Sequence, residues 1–405
     1  MRGLFLLASA LLLSTAVVAE WEFTAPVTIS EQGSERFFHH LESSGRRNIA
    51  VSGDTVAVAW EDDRDDTPRI YLARKGMADT DFSPAMRVSG DGEAFEPTLV
   101  ALTGERFALA WEEDAQVKMR IVSAHGMGPL IAVAEGESRQ PSLHYGDGEL
   151  RLVLAEQEGR LSRIYYHRFE VVGESGLKRS QRCAVDAVPP EDQQFYPTLA
   201  RQQGLTVVAW EDRRPGHTVI MGAESVPGQA CGFREPVRVS LPPEGAEAAA
   251  YGSGHGVARV ALSSYGREGV YAAWADKRDY REGYSIFGAP WRVKQGFAAN
   301  EVVQDAFGGV AKQWHATLAG DGHGRLVAAW SDERDGDSDV LLSWYRDGQW
   351  SDDLALPGGS GPGVQQHPSI TLDSAGRLHV AWVERDEIGG PTRLRYTVSR
   401  WRSSN

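Results

Sequence analysis

Short runs in which apolar and polar residues alternate cover most of the chain, and turn-forming residues separate them. Residues 70–74 and 164–168 are two such runs, and Gly- and Asp-rich stretches such as residues 146–148 lie between runs. Alternation with a period of two is typical of half-buried β-strands, and no segment carries the apolar period of a helix. The pattern therefore predicts an all-β protein.

A phrase that ends in Ala-Trp recurs along the chain. Its tryptophans are Trp60, Trp111, Trp210, Trp274, Trp330 and Trp382. Successive tryptophans lie about 50 to 65 residues apart, except that the distance from Trp111 to Trp210 is about twice as long. This longer distance predicts a unit without the tryptophan at residues 141–185. Each unit holds four strand-like runs, and four strands repeated at this period indicate propeller blades. We therefore expect a single seven-bladed β-propeller over residues 20–405.

The seventh unit ends before a fourth run, and the start of the chain supplies a candidate for it. Residues 23–30 resemble the fourth runs at residues 82–89 and 233–240. We expect this N-terminal strand to complete the last blade, which would close the ring and remove an open sheet edge.

The first nineteen residues have the features of an export signal. Arg2 precedes an apolar run over residues 4–18, and Val17 and Ala19 are small residues that favour cleavage before Glu20. The run is too short for a comfortable membrane span, and no later segment reaches 18 apolar residues. We therefore expect an exported protein, either periplasmic or extracellular.

The two cysteines, Cys183 and Cys231, fit that location. An exported chain with one pair usually closes it, so we expect a disulfide, with two free thiols as the alternative. The net charge of −14 argues against a nucleic-acid partner, because an acidic surface repels phosphates. A monomer is the expected state.

The first and second strands of each unit are called A and B. Ligands are expected where strand A begins and strand B ends, because both points lie at one mouth of the central channel. Strand A carries a short phrase such as Pro97-Thr-Leu, and the residue before this phrase varies among the units. These residues are Arg46, Glu96, Gln140, Tyr196, Val257, His315 and His367. Histidines are also concentrated before strands A, at His39, His40, His255, His315 and His367. Histidine suits proton transfer near neutral pH, although solvated loop histidines are the alternative.

Two further patterns carry candidate chemistry. Trp-x-Asp-x-Arg repeats after strand B, and its cations Arg64, Arg278 and Arg334 are candidate ligand-binding residues. The alternative is that each Asp braces its own loop. Asp335, Asp337 and Asp339 alternate as calcium ligands do, which makes calcium the one candidate cofactor, with an ordinary acidic turn as the alternative.

Residues 79–83 and 347–351 resemble the Asp-box turns of the sialidase-like propeller superfamily, whose blades carry BNR repeats. The resemblance implies a propeller fold. A full arginine triad is not found, so the leading hypothesis is an exported recognition scaffold that binds a glycan or another exported protein. The alternative is a carbohydrate-active enzyme, either a sialidase-like glycoside hydrolase or a polysaccharide lyase. Its candidate catalytic residues are His315, His367, Tyr196 and Arg46.

Overall fold

A computed structural model describes residues 21–30, 38–41, 45–242, 256–267, 269–278, 282–305, 310–321 and 324–401. The predicted export signal, residues 1–19, lies outside the described residues, and so does His255. Across the described ranges, no helix is long and apolar enough to cross a membrane.

Seven antiparallel sheets form the molecule, so the predicted seven-bladed all-β propeller is confirmed. The strands of each blade are named A to D from the centre outward, because strands A of successive blades pack against one another around the central channel. The face on which strand A begins and strand B ends is called the mouth face.

The strands have the following bounds. Blade 1 holds His39–His40 and Ile49–Ser52 (A), Thr55–Asp62 (B), Arg69–Gly76 (C) and Met86–Arg87 (D). Blade 2 holds Ala94–Leu102, Arg106–Glu113, Gln116–Ser123, and Gly126–Met127 with Ile131–Ala132. Blade 3 holds Ser138–Gly146, Glu149–Glu158, Leu161–Val172 and Gly176–Ala184. Blade 4 holds Gln194–Gln202, Leu205–Asp212, Val219–Glu224 and Val237–Arg238.

Blades 5 to 7 follow the same order. Blade 5 holds Val257–Ser264, Val270–Asp276, Ser285–Arg292, and Gly296–Phe297 with Glu301–Val302. Blade 6 holds Gln313–Gly320, Leu326–Asp332, Asp339–Arg346, and Gln349–Trp350 with Leu354–Ala355. Blade 7 holds Val364–Leu372, Leu378–Arg385 and Arg393–Trp401, and Trp21–Phe23 with Val27–Ser30 forms its strand D.

The N-terminal strand closes the ring as predicted. Phe23 pairs with Ser399, and Val27 pairs with Tyr396, both antiparallel. The hydroxyl of Thr397 also donates to the carbonyl of Thr24 at 2.8 Å. Blade 7 therefore takes strands from both ends of the chain.

The core lies between blades, where the faces of neighbouring sheets pack together. The six repeated tryptophans are completely buried. Trp330, for example, packs with Ile286 and Val303 of blade 5 and with other side chains of blade 6. Blade 3 has Leu154 where the other blades have tryptophan, and this leucine is buried in the same way. The repeated apolar phrase is thus the packing surface of each blade.

The predicted disulfide between Cys183 and Cys231 is present, with a Cα–Cα distance of 5.8 Å. Cys183 lies in strand D of blade 3, and Cys231 precedes strand D of blade 4. The bond joins the outer edges of two neighbouring blades.

Candidate functional site

Strand A begins with a β-bulge in blades 2 to 7, and the bulged residue has left-handed backbone geometry. The register with strand B breaks at each of these points. The bulged residues, with φ between 49° and 59°, are Glu96, Gln140, Tyr196, Arg259, His315 and His367. A bulge releases its side chain from the regular alternation and can redirect it. Five of the six residues are those that the sequence predicts.

Blade 5 corrects the prediction. Val257 was expected to be the mouth residue of this blade, but it pairs with Asp276 in the regular ladder, and the bulged residue is Arg259, two positions later. Blade 5 has Val260-Ala261 where blades 2, 3, 4 and 7 have proline followed by threonine or serine, and where blade 6 still has the threonine. Its register could therefore not be read from those markers.

Polar side chains from the preceding blade hold several bulges in place. Glu61 accepts from the backbone N–H of Glu96 at 3.2 Å, Glu112 from that of Gln140 at 2.7 Å, and Glu211 from that of Arg259 at 2.8 Å. These glutamates directly follow the repeated tryptophans. Blades 1, 2 and 4 therefore each place one carboxylate at the mouth, and each carboxylate is anchored by a main-chain donor.

In blade 1, the segment Gly45–Asn48 enters the central channel and is named the plug. The carbonyl of Gly45 accepts from Ser142 of blade 3 at 2.9 Å, and a Cβ on Gly45 would lie 2.6 Å from the carbonyl oxygen of Val260 in blade 5. With φ at +75° and this close approach, only glycine fits without strain. The plug places Arg46 over the middle of the mouth.

Arg46 joins residues from opposite sides of the ring. Its Nη2 lies 2.5 Å from Oε2 of Glu96 in blade 2, and its guanidinium lies 5.6 Å from the ring centre of Tyr196 in blade 4. Arg259 stacks on the same ring, with its guanidinium 3.2 Å from the ring centre. The sequence-predicted Arg46, Tyr196 and Glu96 therefore converge, together with an arginine that was not predicted.

The two candidate histidines also meet. The rings of His315 and His367 are stacked, with their centroids 4.0 Å apart. Burial lowers the pKa of His367 to about 4, and burial with the nearby His367 and Arg259 lowers the pKa of His315 well below its usual range. Nδ1 of His367 lies 2.9 Å from the carbonyl oxygen of Leu41, so Nδ1 carries the proton and Nε2 is free to accept one.

A cavity of about 360 Å³ opens beside this histidine pair. Its lining residues are His40, Leu41, Glu61, Phe95, Glu96, Pro97, Glu112 and His367. Burial and the adjacent Glu96 carboxylate raise the pKa of Glu112 to about 7. A carboxyl group tuned in this way can give or take a proton near neutral pH.

An aromatic pair lies at the mouth face, beside blades 5 and 6. Tyr284 and Trp314 are stacked with ring centroids 4.3 Å apart, and both rings are partly exposed. Trp314 directly precedes His315. This pair provides a flat apolar surface next to the polar groups of the mouth.

The arginines of the Trp-x-Asp-x-Arg phrase lie away from this centre. Arg64 pairs with Asp62 at 2.5 Å, Arg278 with Asp276 at 3.1 Å and Arg334 with Asp332 at 2.8 Å. They also reach outer strands: Arg64 donates to Ser30, Arg278 to Asn300 and Arg334 to Asp353. This geometry matches the alternative in which each Asp braces its own loop.

The acidic loop of blade 6 carries the carboxylates of the predicted calcium site. Asp339 accepts from the backbone N–H of Gly361 at 2.9 Å. Burial raises the pKa of Asp339, and the charges of Asp335 and Asp337 add to the rise. No group of three or more His, Cys, Asp or Glu side chains that could hold a metal ion occurs in the described part of the chain. Calcium binding by Asp335, Asp337 and Asp339 stays a prediction.

The sequence analysis missed six mouth residues, which are Glu61, Glu112, Glu211, Arg259, Tyr284 and Trp314. The signal for the three glutamates was the Trp-Glu dipeptide, which repeats in blades 1, 2 and 4. For Arg259 the sequence contains no comparable marker.

Comparison with known proteins gives relatives by structure alone. No protein-family model matches the chain, and no curated protein matches its sequence. Polysaccharide lyase Uly1 superposes with a TM-score of 0.57 at 10% identity, over 88% of this chain and 90% of that one. Phage phi92 endosialidase superposes with a TM-score of 0.52 at 8% identity, over 94% of this chain and 70% of that one. The β-propeller domain of the Trilobed protease from Pyrococcus furiosus superposes with a TM-score of 0.50 at 11% identity, over 88% of this chain and 94% of that one. At these identities the similarity establishes the fold class.

Proposed function

We propose that the protein binds a glycan at the mouth face. The observation that carries the proposal is the set of seven mouth side chains, which are of five residue types, whereas the tryptophan at the end of strand B repeats in six of the seven blades. Packing requires repetition, whereas a ligand without sevenfold symmetry requires different groups around it.

The chemistry of the mouth suits a carbohydrate. Arg46, Arg259, Gln140 and the glutamates offer donors and acceptors for hydroxyl or carboxylate groups. The partly exposed Trp314–Tyr284 pair offers an apolar surface for the flat face of a sugar ring. Two of the similar propellers are named as a polysaccharide lyase and an endosialidase; their likeness supports the fold, and the proposal rests on the mouth itself. The proposal keeps the exported location that residues 1–19 predict.

A binding screen tests the proposal. Protein that starts at residue 20 is applied to neutral, uronate-containing and sialate-containing polysaccharides. We expect at least one class to bind, and Trp314→Ala and His315→Ala to weaken that binding at least about tenfold with little change in thermal stability. His125→Ala is the matched control, because His125 is exposed in the C–D turn of blade 2 on the opposite face. Binding that both mouth variants retain in full would place the ligand elsewhere.

A second candidate is catalysis on the bound glycan, and the tuned protonation states favour it. Glu112 titrates near neutral pH, and His367 presents an unprotonated Nε2 at the same cavity. Together they supply an acid and a base for glycan cleavage.

The polysaccharide that binds is incubated with the protein, and new reducing ends and unsaturated products are measured. If the protein is an enzyme, Glu112→Gln and His367→Ala should each lower turnover by about a hundredfold. Absence of any product from the unmodified protein, with binding intact, would leave the recognition scaffold as the function.

A further inference from the structure

A cavity of about 520 Å³ lies on the face opposite the mouth, between blade 7 and blade 1. Its apolar lining residues are Phe23, Val27, Met77, Tyr396 and Val398. Val27, Met77 and Val398 pack against the core between these two blades and stay partly accessible. Small-molecule sites have volumes of roughly 300 to 1,000 Å³ and mostly apolar walls. This cavity has the size and the apolar floor of such a site.

Basic side chains border the apolar floor. Lys75, Arg377 and Arg400 line the same cavity, and Glu22 is the one carboxylate among its described lining residues. Arg377 and Arg400 also line a neighbouring cavity of about 380 Å³, to which Arg325 contributes and no described acidic residue does. The two cavities together are named the rear groove. The rear groove is therefore positive in a chain whose net charge is −14.

A buried hydrogen-bond network holds Arg377 where the two cavities meet. Nε of Arg377 donates to Asp373 at 2.6 Å. The same carboxylate lies 3.3 Å from Nε2 of His379, whose Nδ1 lies 2.7 Å from the hydroxyl of Tyr396 in the cavity floor. Arg377 is 28% exposed, and its two Nη atoms make no hydrogen bond to any residue that the structure describes. The network therefore fixes this guanidinium and leaves its outer donors available to a ligand.

Arg400 and Lys75 also keep donors available. Arg400 is exposed, and its side chain forms neither a hydrogen bond nor an ion pair with the described residues. Within the same part of the chain, Nζ of Lys75 donates to the carbonyl of the adjacent Gly76 at 3.3 Å and to no other group. Guanidinium groups bind carboxylates and phosphates through paired N–H donors. The rear groove thus combines free cationic donors with an apolar surface.

We propose that the rear groove binds a small amphiphile with one anionic head and an apolar chain. The head, a carboxylate or a phosphate, lies on Arg377 and Arg400, which both cavities share. The chain lies over Met77 and Val398, where it covers apolar surface that is otherwise in contact with water. This site is separate from the mouth face and does not depend on the function proposed there.

Calorimetric titration tests the proposal. Protein that starts at residue 20 is titrated with octanoate, with octanol, which has the chain without the charge, and with acetate, which has the charge without the chain. We expect octanoate to bind saturably at one site per chain, octanol to bind at least about tenfold more weakly, and acetate not to bind saturably. Octyl phosphate identifies the head: tighter binding than that of octanoate would assign a phosphate, and weaker binding a carboxylate. The proposal fails if neither anionic probe binds, or if octanol binds as tightly as octanoate.

Arg400→Gln is the deciding variant. It should weaken octanoate binding at least about fivefold and leave Tm unchanged, because the side chain is exposed and has no described partner. Arg292→Gln is the matched control. Arg292 is an exposed arginine at the corresponding end of strand C in blade 5, and it lines neither cavity of the rear groove. Unchanged octanoate binding by Arg400→Gln would overturn the proposal.

Glu22→Gln should have the opposite effect. It removes the carboxylate that lines the groove, so octanoate should bind about twofold more tightly or better. Weaker binding by both Glu22→Gln and Arg400→Gln would show that charge does not direct the ligand, and the proposal would fail.

A shortened protein that ends at residue 401 tests a competing occupant. It should bind octanoate as tightly as the longer protein. Binding that occurs only after this shortening would show that residues 402–405 fill the rear groove, and it would overturn the proposal.

Discussion

At the scale of single residues, the repeated tryptophan works together with the acidic residue two positions later. Nε1 of Trp330 donates to Asp332 at 2.9 Å, and equivalent bonds of 2.7 to 3.0 Å occur in blades 1, 2, 4 and 5. The same carboxylate accepts from the backbone and side chain of Arg334. One buried carboxylate therefore satisfies the indole and fixes the loop at the end of strand B.

Asp332→Ala should destabilise the fold by about 1 to 3 kcal/mol, because it leaves the buried indole N–H and part of the Arg334 guanidinium without an acceptor. Chemical denaturation measures the difference. Asp337→Ala is the matched control, since Asp337 is an exposed carboxylate in the same loop. Equal free energies of unfolding for the two variants would contradict a bracing role for Asp332.

Glu112 should make stability depend on pH in an unusual direction. Its folded-state pKa is raised from 4.5 to about 7, so the folded protein holds this proton more tightly than the unfolded chain does. The stabilisation by this proton is fully present below pH 4.5 and is lost as the pH rises through about 7. At pH 8 the folded protein therefore carries the cost of a partly buried carboxylate beside Glu96.

Glu112→Gln should remove that cost and retain the acceptor for the backbone N–H of Gln140. We expect it to raise stability by about 1 to 2 kcal/mol at pH 8 and to have little effect near pH 5. Urea denaturation at the two pH values is the measurement, with the exposed Glu93→Gln as control. A stability difference that is independent of pH would show that Glu112 has no raised pKa.

At the scale of elements, the sequence predicted the strands well but predicted their irregular starts less well. Glu96 and Tyr196 were predicted to face the mouth because each directly precedes a proline of strand A, and that they lie in bulges became known only from the structure. Blade 5 lacks this proline, and Val257 was predicted as its mouth residue instead of Arg259. The entry of Gly45 into the channel could not be predicted at all, since it depends on contacts with blades 3 and 5.

The closing strand is the element whose removal should be most damaging. Deleting residues 20–30 leaves strand C of blade 7 with an unpaired outer edge and removes the buried Trp21 from the core between blades 6 and 7. We expect loss of soluble folded protein. A synthetic peptide of residues 21–30, added during refolding, should restore part of it, whereas a scrambled peptide should not. A truncated protein with unchanged Tm would contradict the closure.

At the scale of the whole molecule, the ring decides which residues become neighbours. His315 and His367 could be predicted as site residues because they break the repeat, and their separation of about one period places them on adjacent blades. The meeting of Arg46 with Tyr196 could not be predicted, since it crosses the channel from blade 1 to blade 4. The raised pKa of Glu112 comes instead from burial and from Glu96 of the same blade, and Arg46 opposes the rise. Sequence periodicity therefore predicts the blades, whereas contacts between residues on opposite sides of the channel depend on how the ring closes.

The pairing of both chain ends in blade 7 also has a consequence for folding kinetics. The pairing of the N-terminal strand with strand C of blade 7 is called the seam. Thr24 and Thr397 contact each other across it and are 373 residues apart. Joining such distant segments carries a large loop-closure entropy, and contacts of this kind form late. The first segment of the propeller to leave the ribosome is therefore among the last to be placed. Once formed, the seam must break before the blades can separate, so it should slow unfolding more than it speeds folding.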